Sequence, residues 1–218
     1  KKSNNGGDNN LSNDIATDDI RNISKRADFF QFVNGKGWYL AQSKEGSHFG
    51  LIDFLNSKIK TVKIPHSSEM IIIDFHVAKN NTIWVLVTNT NWKRRVELIN
   101  YDLSGKEISK KTLNVYDNQV VTDDQNNIYI ICEDEKETKF MVLNPKGEKL
   151  FELPTGYYPT LFVSSDNQVN VVSKINNNQT ISKVNVNNKK YVDSGYGKLS
   201  KDLQDKNYLK GTGKYSFF

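Results

Sequence analysis

The stretch "NNIYIICEDEKETKFMVLNPKGEKLFELPTG", Asn126 to Gly156, decides the fold. It runs in a fixed order: polar turn, apolar run, charged gap, second apolar run, Gly turn, third run. A single hairpin has no use for the third run. Extended back to Asn118, the stretch reads as four short strands at about 118–123, 127–133, 138–143 and 148–153. The turns between them, Asp-Gln-Asn-Asn and Asn-Pro-Lys-Gly, carry hairpin chemistry. The unit is therefore a four-stranded antiparallel meander.

The meander recurs. "FQFVNGKGWYLA" (Phe30–Ala41), "FHVAKNNTIWVL" (Phe75–Leu86), "VVTDDQNNIYII" (Val120–Ile131), "LFVSSDNQVNVV" (Leu161–Val172) and "YLKGTGKYSFF" (Tyr208–Phe218) each place a polar turn between two apolar segments. Tyr39, Trp84, Tyr129, Asn170 and Ser216 read as equivalent positions, separated by roughly 41–46 residues. Gly105 and Gly147 fall at a matching later turn. Four strands per ~40–50 residues is the period of a β-propeller blade. The second strand, Ile128 to Cys132, is apolar on both faces, as a strand packed between two blades must be. The fourth, Lys106 to Lys110, alternates with charge, as an outer edge should.

The fold class expected is thus all-β, a propeller of four-stranded antiparallel blades. Blades are expected at about 28–65, 70–114, 118–154 and 158–196, with a partial one at 205–218. A β-sandwich is the rival, but it does not require a repeated unit of four. Residues 13–24 and 198–209 could each hold a short helical turn. Residues 1–14, rich in Ser, Asn, Gly and Asp, read as a disordered tether. The chain is expected to be the N-terminal portion of a longer protein. The alternative is a five-bladed ring, closed by residues 15–27 as a candidate strand.

Composition narrows the function classes. Of 218 residues, 37% are hydrophobic and 11% aromatic, enough for a sizeable core. Thirty Lys and Arg against 25 Asp and Glu leave a small excess that is spread along the chain rather than gathered on one stretch. A nucleic-acid partner is therefore not expected. The single cysteine, Cys132, sits in an apolar run and reads as a buried thiol. No apolar run is long enough to span a membrane as a helix.

Catalytic signatures were sought by residue type and spacing. His48, His66 and His76 lack metal-ligand spacing, and no metal or cofactor is expected. No nucleophile elbow or phosphate loop is present, and "GTGK" at 211–214 lacks the length of one. Asp123, Asp124 and Asp166 could serve a cation, but they fall in tight turns where Asp bonds its own backbone. Asp74 and His76 share a face of an innermost strand and are expected to line a hydrated central channel. The residues that ask for a binding role are aromatic and basic side chains in loops: Trp92, Arg94 and Arg95, with Tyr157, Tyr158 and His66 on the same face. Such rings suit sugars or extended peptides, and the arginines suit carboxylates.

The motif "DDQNNIYII…FMVLNPKGEKLFELP" resembles the blades of bacterial propellers of the NHL and six-bladed type. The likeness covers about residues 28–218 and implies fold more than function. "YLKGTGKYSFF", with the Lys- and Asn-rich composition, resembles the N-terminal propeller region of extracellular solute-binding lipoproteins of Gram-positive bacteria. That resemblance implies an accessory domain of a nutrient-uptake protein at the cell surface. The leading expectation is a non-catalytic, extracytoplasmic domain that binds a carbohydrate, a peptide or another protein through its loop face, with membrane attachment only through a lipid anchor upstream of residue 1. A metal-dependent hydrolase of the propeller lactonase type and a structural spacer are the alternatives.

Overall fold

The computed structural model describes residues 13–14, 29–33, 36–43, 46–53, 58–64, 70–89, 95–113, 116–133, 138–155, 157–164, 167–175 and 178–193. Every element among them is a strand. Blade 1 holds β2 (Phe29–Val33), β3 (Lys36–Ser43), β4 (Gly46–Asp53) and β5 (Lys58–Ile64). A two-residue strand, β1 (Asn13–Asp14), pairs with β5 through Ile59 and Lys58, so it adds to the outer edge of this blade. Blade 2 holds β6 (Met70–Val77), β7 (Ile83–Asn89), β8 (Val96–Tyr101) and β9 (Glu107–Leu113). Blade 3 holds β10 (Tyr116–Thr122), β11 (Ile128–Glu133), β12 (Thr138–Leu143) and β13 (Lys149–Pro154). Blade 4 holds β14 (Tyr157–Val163), β15 (Val169–Ile175), β16 (Asn178–Asn185) and β17 (Lys190–Asp193).

Each sheet pairs its strands in sequence order, antiparallel throughout. The innermost strands β2, β6, β10 and β14 lie side by side, each next to that of the following blade. This is the radial arrangement of a propeller, with four blades among the described residues. The remaining expectations fall outside the described residues: the closing strand at 15–27, the partial blade at 205–218, and the helical turns save for Asn13–Asp14, which are extended.

Packing follows from the double-faced second strands. In β7, Ile83, Val85 and Val87 join Trp38, Leu40, Phe49 and Val62 of blade 1. On the opposite face Trp84 and Leu86 join Ile128, Ile130 and Cys132 of β11. In turn Tyr129 and Ile131 join Val169, Val171 and Val184 of blade 4. Cys132 is fully buried, a small apolar side chain in the blade 2–blade 3 core.

One repeat equivalence needs correction. Trp38, not Tyr39, occupies the face toward the next blade that Trp84 and Tyr129 occupy. Tyr39 lies on the opposite face, where its ring covers Gly50 so closely that a Cβ there would come within 1.9 Å. The cause is the first hairpin. Val33 pairs with Lys36 across residues 34–35, whereas Val77 pairs with Ile83 across residues 78–82. The shorter loop moves the alternation by one residue, and that flips every side chain.

Five of the described hairpin turns share one geometry. The first residue accepts from the N–H of the fourth, as in Asn81 N to Ala78 O at 2.9 Å, and donates to the carbonyl of the fifth, as in Ala78 N to Thr82 O at 2.8 Å. The fourth residue has positive φ: Asn81, Asn126 and Asn167 between first and second strands, Gly105 and Gly147 between third and fourth. The choice of residue is steric. A Cβ on Gly105 would lie 2.0 Å from the carbonyl oxygen of Lys63 on the preceding blade, while one on Gly147 would meet nothing nearer than Lys111 at 3.9 Å.

These two glycines should separate backbone strain from collision. Gly147→Ala should cost about 1–2 kcal/mol, the left-handed penalty alone. Gly105→Ala should cost that plus roughly 1–3 kcal/mol of overpacking against blade 1. Urea denaturation of the two variants checks the order.

A second expectation concerns alkali. Burial, then the nearby Glu107 and Glu97 carboxylates, push the Tyr101 hydroxyl up to about 12 from an ordinary 10.0. Burial also raises Tyr39, Tyr129 and Tyr191. A phenol that holds its proton only in the folded state stabilises fully below pH 10, and that stability is lost as pH rises toward 12. For Tyr101 the loss should be about 2–3 kcal/mol. Tyr101→Phe should flatten that part of the alkaline stability curve, read by circular dichroism alongside phenolate absorbance.

Candidate functional site

Asp74 and His76 are buried, with exposures of 3% and 6%, and they sit in the seam between blades 2 and 3 rather than along an open channel. Register shifts between Ile72 and Asp74 explain the placement. An extra residue in a strand re-aims the side chain that follows it. Asp74 Oδ2 accepts the backbone N–H of Val120 on β10 at 2.8 Å. His76 Nδ1 lies 3.2 Å from the Thr122 N–H and 2.9 Å from its hydroxyl. A backbone N–H can only donate, so Nδ1 is the acceptor and the ring proton rests on Nε2. The same device recurs one blade on. β10 shifts register between Asp117 and Gln119, and Gln119 Oε1 accepts the Leu161 N–H of β14 at 2.8 Å. The acid and the imidazole hold innermost strands together.

Asp123 is likewise committed to structure. Its Oδ1 accepts from the N–H groups of Gln125 and Asn127, at 2.9 and 2.8 Å. Its Oδ2 accepts from Asn127 Nδ2 at 2.8 Å and from the Tyr129 hydroxyl at 2.6 Å. This is the turn chemistry expected of Asp in such a loop. Asp166 lies outside the described residues.

Of the loop-face set, Arg95 is described. Its guanidinium pairs with Glu97 at 3.2 Å, and Lys110 reaches the other oxygen of the same carboxylate at 3.4 Å. Trp92, Arg94 and His66 lie outside the described residues. Tyr157 and Tyr158 belong to β14, but their side chains lie outside the described set.

The described residues form a cleft at the opposite end of the blades, where the turns between first and second strands gather. It lies between blades 3 and 4 and encloses about 250 Å³. Its apolar wall is Val169, Val184, Val186 and Val192. Its polar rim carries the amides of Gln125, Asn167, Gln168, Asn185 and Asn187, with Asp124 and Lys183 as opposed charges. Tyr129 and Asp123, already bonded to one another, form the floor near blade 3. Asn185 Oδ1 accepts the Asn188 N–H at 2.9 Å. The side-chain amides of Gln125, Asn167, Gln168 and Asn187 make no hydrogen bond among the described residues. No group of three or more His, Cys, Asp or Glu with metal-binding geometry occurs among the described residues.

Sequence reading treated these amides as turn residues only. Gln125 and Asn187 are far apart in the chain, and only the blade stacking brings them to one rim.

No family model and no curated protein matches the chain. Among solved structures, it is similar to virginiamycin B lyase from Staphylococcus aureus, at 13% identity and a TM-score of 0.48, over 75% of this chain and 53% of that one. The β-propeller domain of the Trilobed protease from Pyrococcus furiosus matches at 10% identity and a TM-score of 0.48, over 72% of this chain and 53% of that one. A protein of unknown function from Bacteroides caccae matches at 11% identity and a TM-score of 0.47, over 74% and 58%. The chain spans a little over half the length of each. The architecture stands on the strand order and packing described above.

Removing the Asp74 carboxylate should take away the side-chain acceptor that the buried Val120 N–H uses. Asp74→Ala should therefore cost about 1–3 kcal/mol. Asp74→Asn, which keeps a carbonyl oxygen in place as Gln119 does one blade on, should cost less. Thermal denaturation of the pair checks this; equal losses would mean the charge, not the acceptor, matters.

Proposed function

We propose that this chain is a non-catalytic binding domain that takes a small polar ligand in the cleft between blades 3 and 4. One observation carries the reading: the hydrogen-bonding side chains divide into two sets. Groups suited to acid–base chemistry, Asp74, His76 and Asp123, are each spent on backbone N–H groups. The amides of Gln125, Asn167, Gln168 and Asn187 gather instead around one concavity beside an apolar wall. Convergent hydrogen-bonding groups around a concavity can orient a polar ligand.

The setting we propose is extracytoplasmic. The Ser-, Asn- and Gly-rich start of the chain supports it, since such a segment serves well as a tether at a surface. A role in solute capture accords with a domain that binds and releases without turnover.

Isothermal titration against panels of mono- and disaccharides and short peptides, with and without EDTA, tests the reading. At least one ligand class should bind at up to millimolar concentration, with no product formed and no change on chelation. No association across both panels would overturn the binding role. Loss of thermal stability on chelation would point to the metal-dependent hydrolase instead.

A further inference from the structure

The composition of the cleft points to its ligand class, on the premise that the cleft is the binding site. We infer that it takes a neutral polyhydroxylated ring, a single saccharide unit, held by the side-chain amides of Gln125, Asn167, Gln168 and Asn187.

The chemistry of the rim carries this. An amide side chain offers both donors and an acceptor, and so does a hydroxyl. Amides converging from two blades therefore match a ligand studded with hydroxyls more fully than they match an anion or a cation. The charges at the rim do not select a sign, because Asp124 and Lys183 oppose one another. Asp123 adds no open acceptor, since its two oxygens already take four hydrogen bonds. Phosphate would call for a guanidinium, a lysine without a facing carboxylate or a run of free backbone N–H groups, and Lys183 shares the rim with Asp124. Here the Gln125 and Asn127 N–H groups point to Asp123.

The wall and the size agree. The exposed lining is mostly polar, and half-buried Val186 and Val192 leave a small apolar contact for the C–H face of a ring. The volume, about 250 Å³, falls just under the ~300 Å³ at which pockets for drug-sized ligands begin, so one ring fits. An extended peptide binds along a strand edge and needs a longer groove.

The test uses the whole chain and isothermal titration with neutral hexoses and pentoses, hexosamines, uronic acids and short peptides. A neutral sugar should bind, with an affinity that stays constant between about 50 and 500 mM NaCl, since no net charge is paired. The double variant Gln125→Ala/Asn187→Ala alters two exposed side chains and should weaken binding by about 5-fold or more, the loss of two neutral hydrogen bonds. Ile108→Ser, on the outer strand of blade 2, should leave affinity unchanged. Circular dichroism confirms that each variant is folded, and Asn167→Ala gives a third, independent probe of the rim.

Preference for a peptide or a charged sugar, weakened by the same variants, would overturn the saccharide assignment and keep the cleft as the binding site. Saccharide binding that ignores every rim variant would overturn the assignment to this cleft and keep the binding role. No binding by any probe would overturn both.

Discussion

Everything in this molecule depends on second strands that are apolar on both faces. β7 buries Ile83, Val85 and Val87 against blade 1, and Trp84 and Leu86 against blade 3. A lone blade would leave both such faces in water. Each core is therefore jointly owned, and stability grows by stacking, as in other repeat architectures. Aromatic contacts fall at these shared surfaces. Phe49 of blade 1 meets Phe75 of blade 2 with centroids 4.9 Å apart. Phe140 of blade 3 meets Tyr191 of blade 4 at 6.1 Å. Tyr191 then ties the outer ends of the same two blades by donating to the Pro154 carbonyl at 3.0 Å.

The fold was legible because its signals are local and repeated. Within Asn118–Pro154 the four strands lie where turn residues and apolar runs place them. The left-handed fourth position is written as Asn or Gly in five turns, and as Lys189 in the turn between β16 and β17. Side-chain direction was less legible. Tyr39 aligns with Trp84 by spacing but faces the other way, because a shorter hairpin changes the parity of the strand. Asp74 and His76 share a face as alternation requires, yet bulges turn that face into the seam between blades. A period-of-two argument has no means to see an inserted residue that belongs to the pairing and not to the composition.

The cleft was illegible for a different reason. Its rim is made of turn residues that single-sequence reading assigns wholly to backbone conformation. Asn126 and Asn167 both hold positive φ, at 63° and 59°, and look interchangeable. The difference lies in what stands before them on the neighbouring blade. The Asn126 side chain reaches back and accepts the Asn80 N–H of blade 2 at 3.0 Å. That N–H is available because the turn opens on Ala78, which has no side-chain acceptor.

One blade on, Gln125 stands where Asn80 stood, and Asn167 where Asn126 stood. Here the turn opens on Asp123, and its Oδ1 has already taken the Gln125 N–H at 2.9 Å. The bond that laces blade 2 to blade 3 is thus pre-empted between blades 3 and 4. Asn167 lines the cleft that stands between the two turns. Asp123 is held in this role from below, because the Tyr129 hydroxyl fixes its second oxygen at 2.6 Å. Tyr129 occupies the position that Trp84 fills in blade 2, and an indole N–H can donate but a turn opening on Ala78 gives it no carboxylate to hold. The exchange of Ala and Trp for Asp and Tyr is therefore a paired change. It keeps the turn and the core face intact while converting one inter-blade contact into an open cleft.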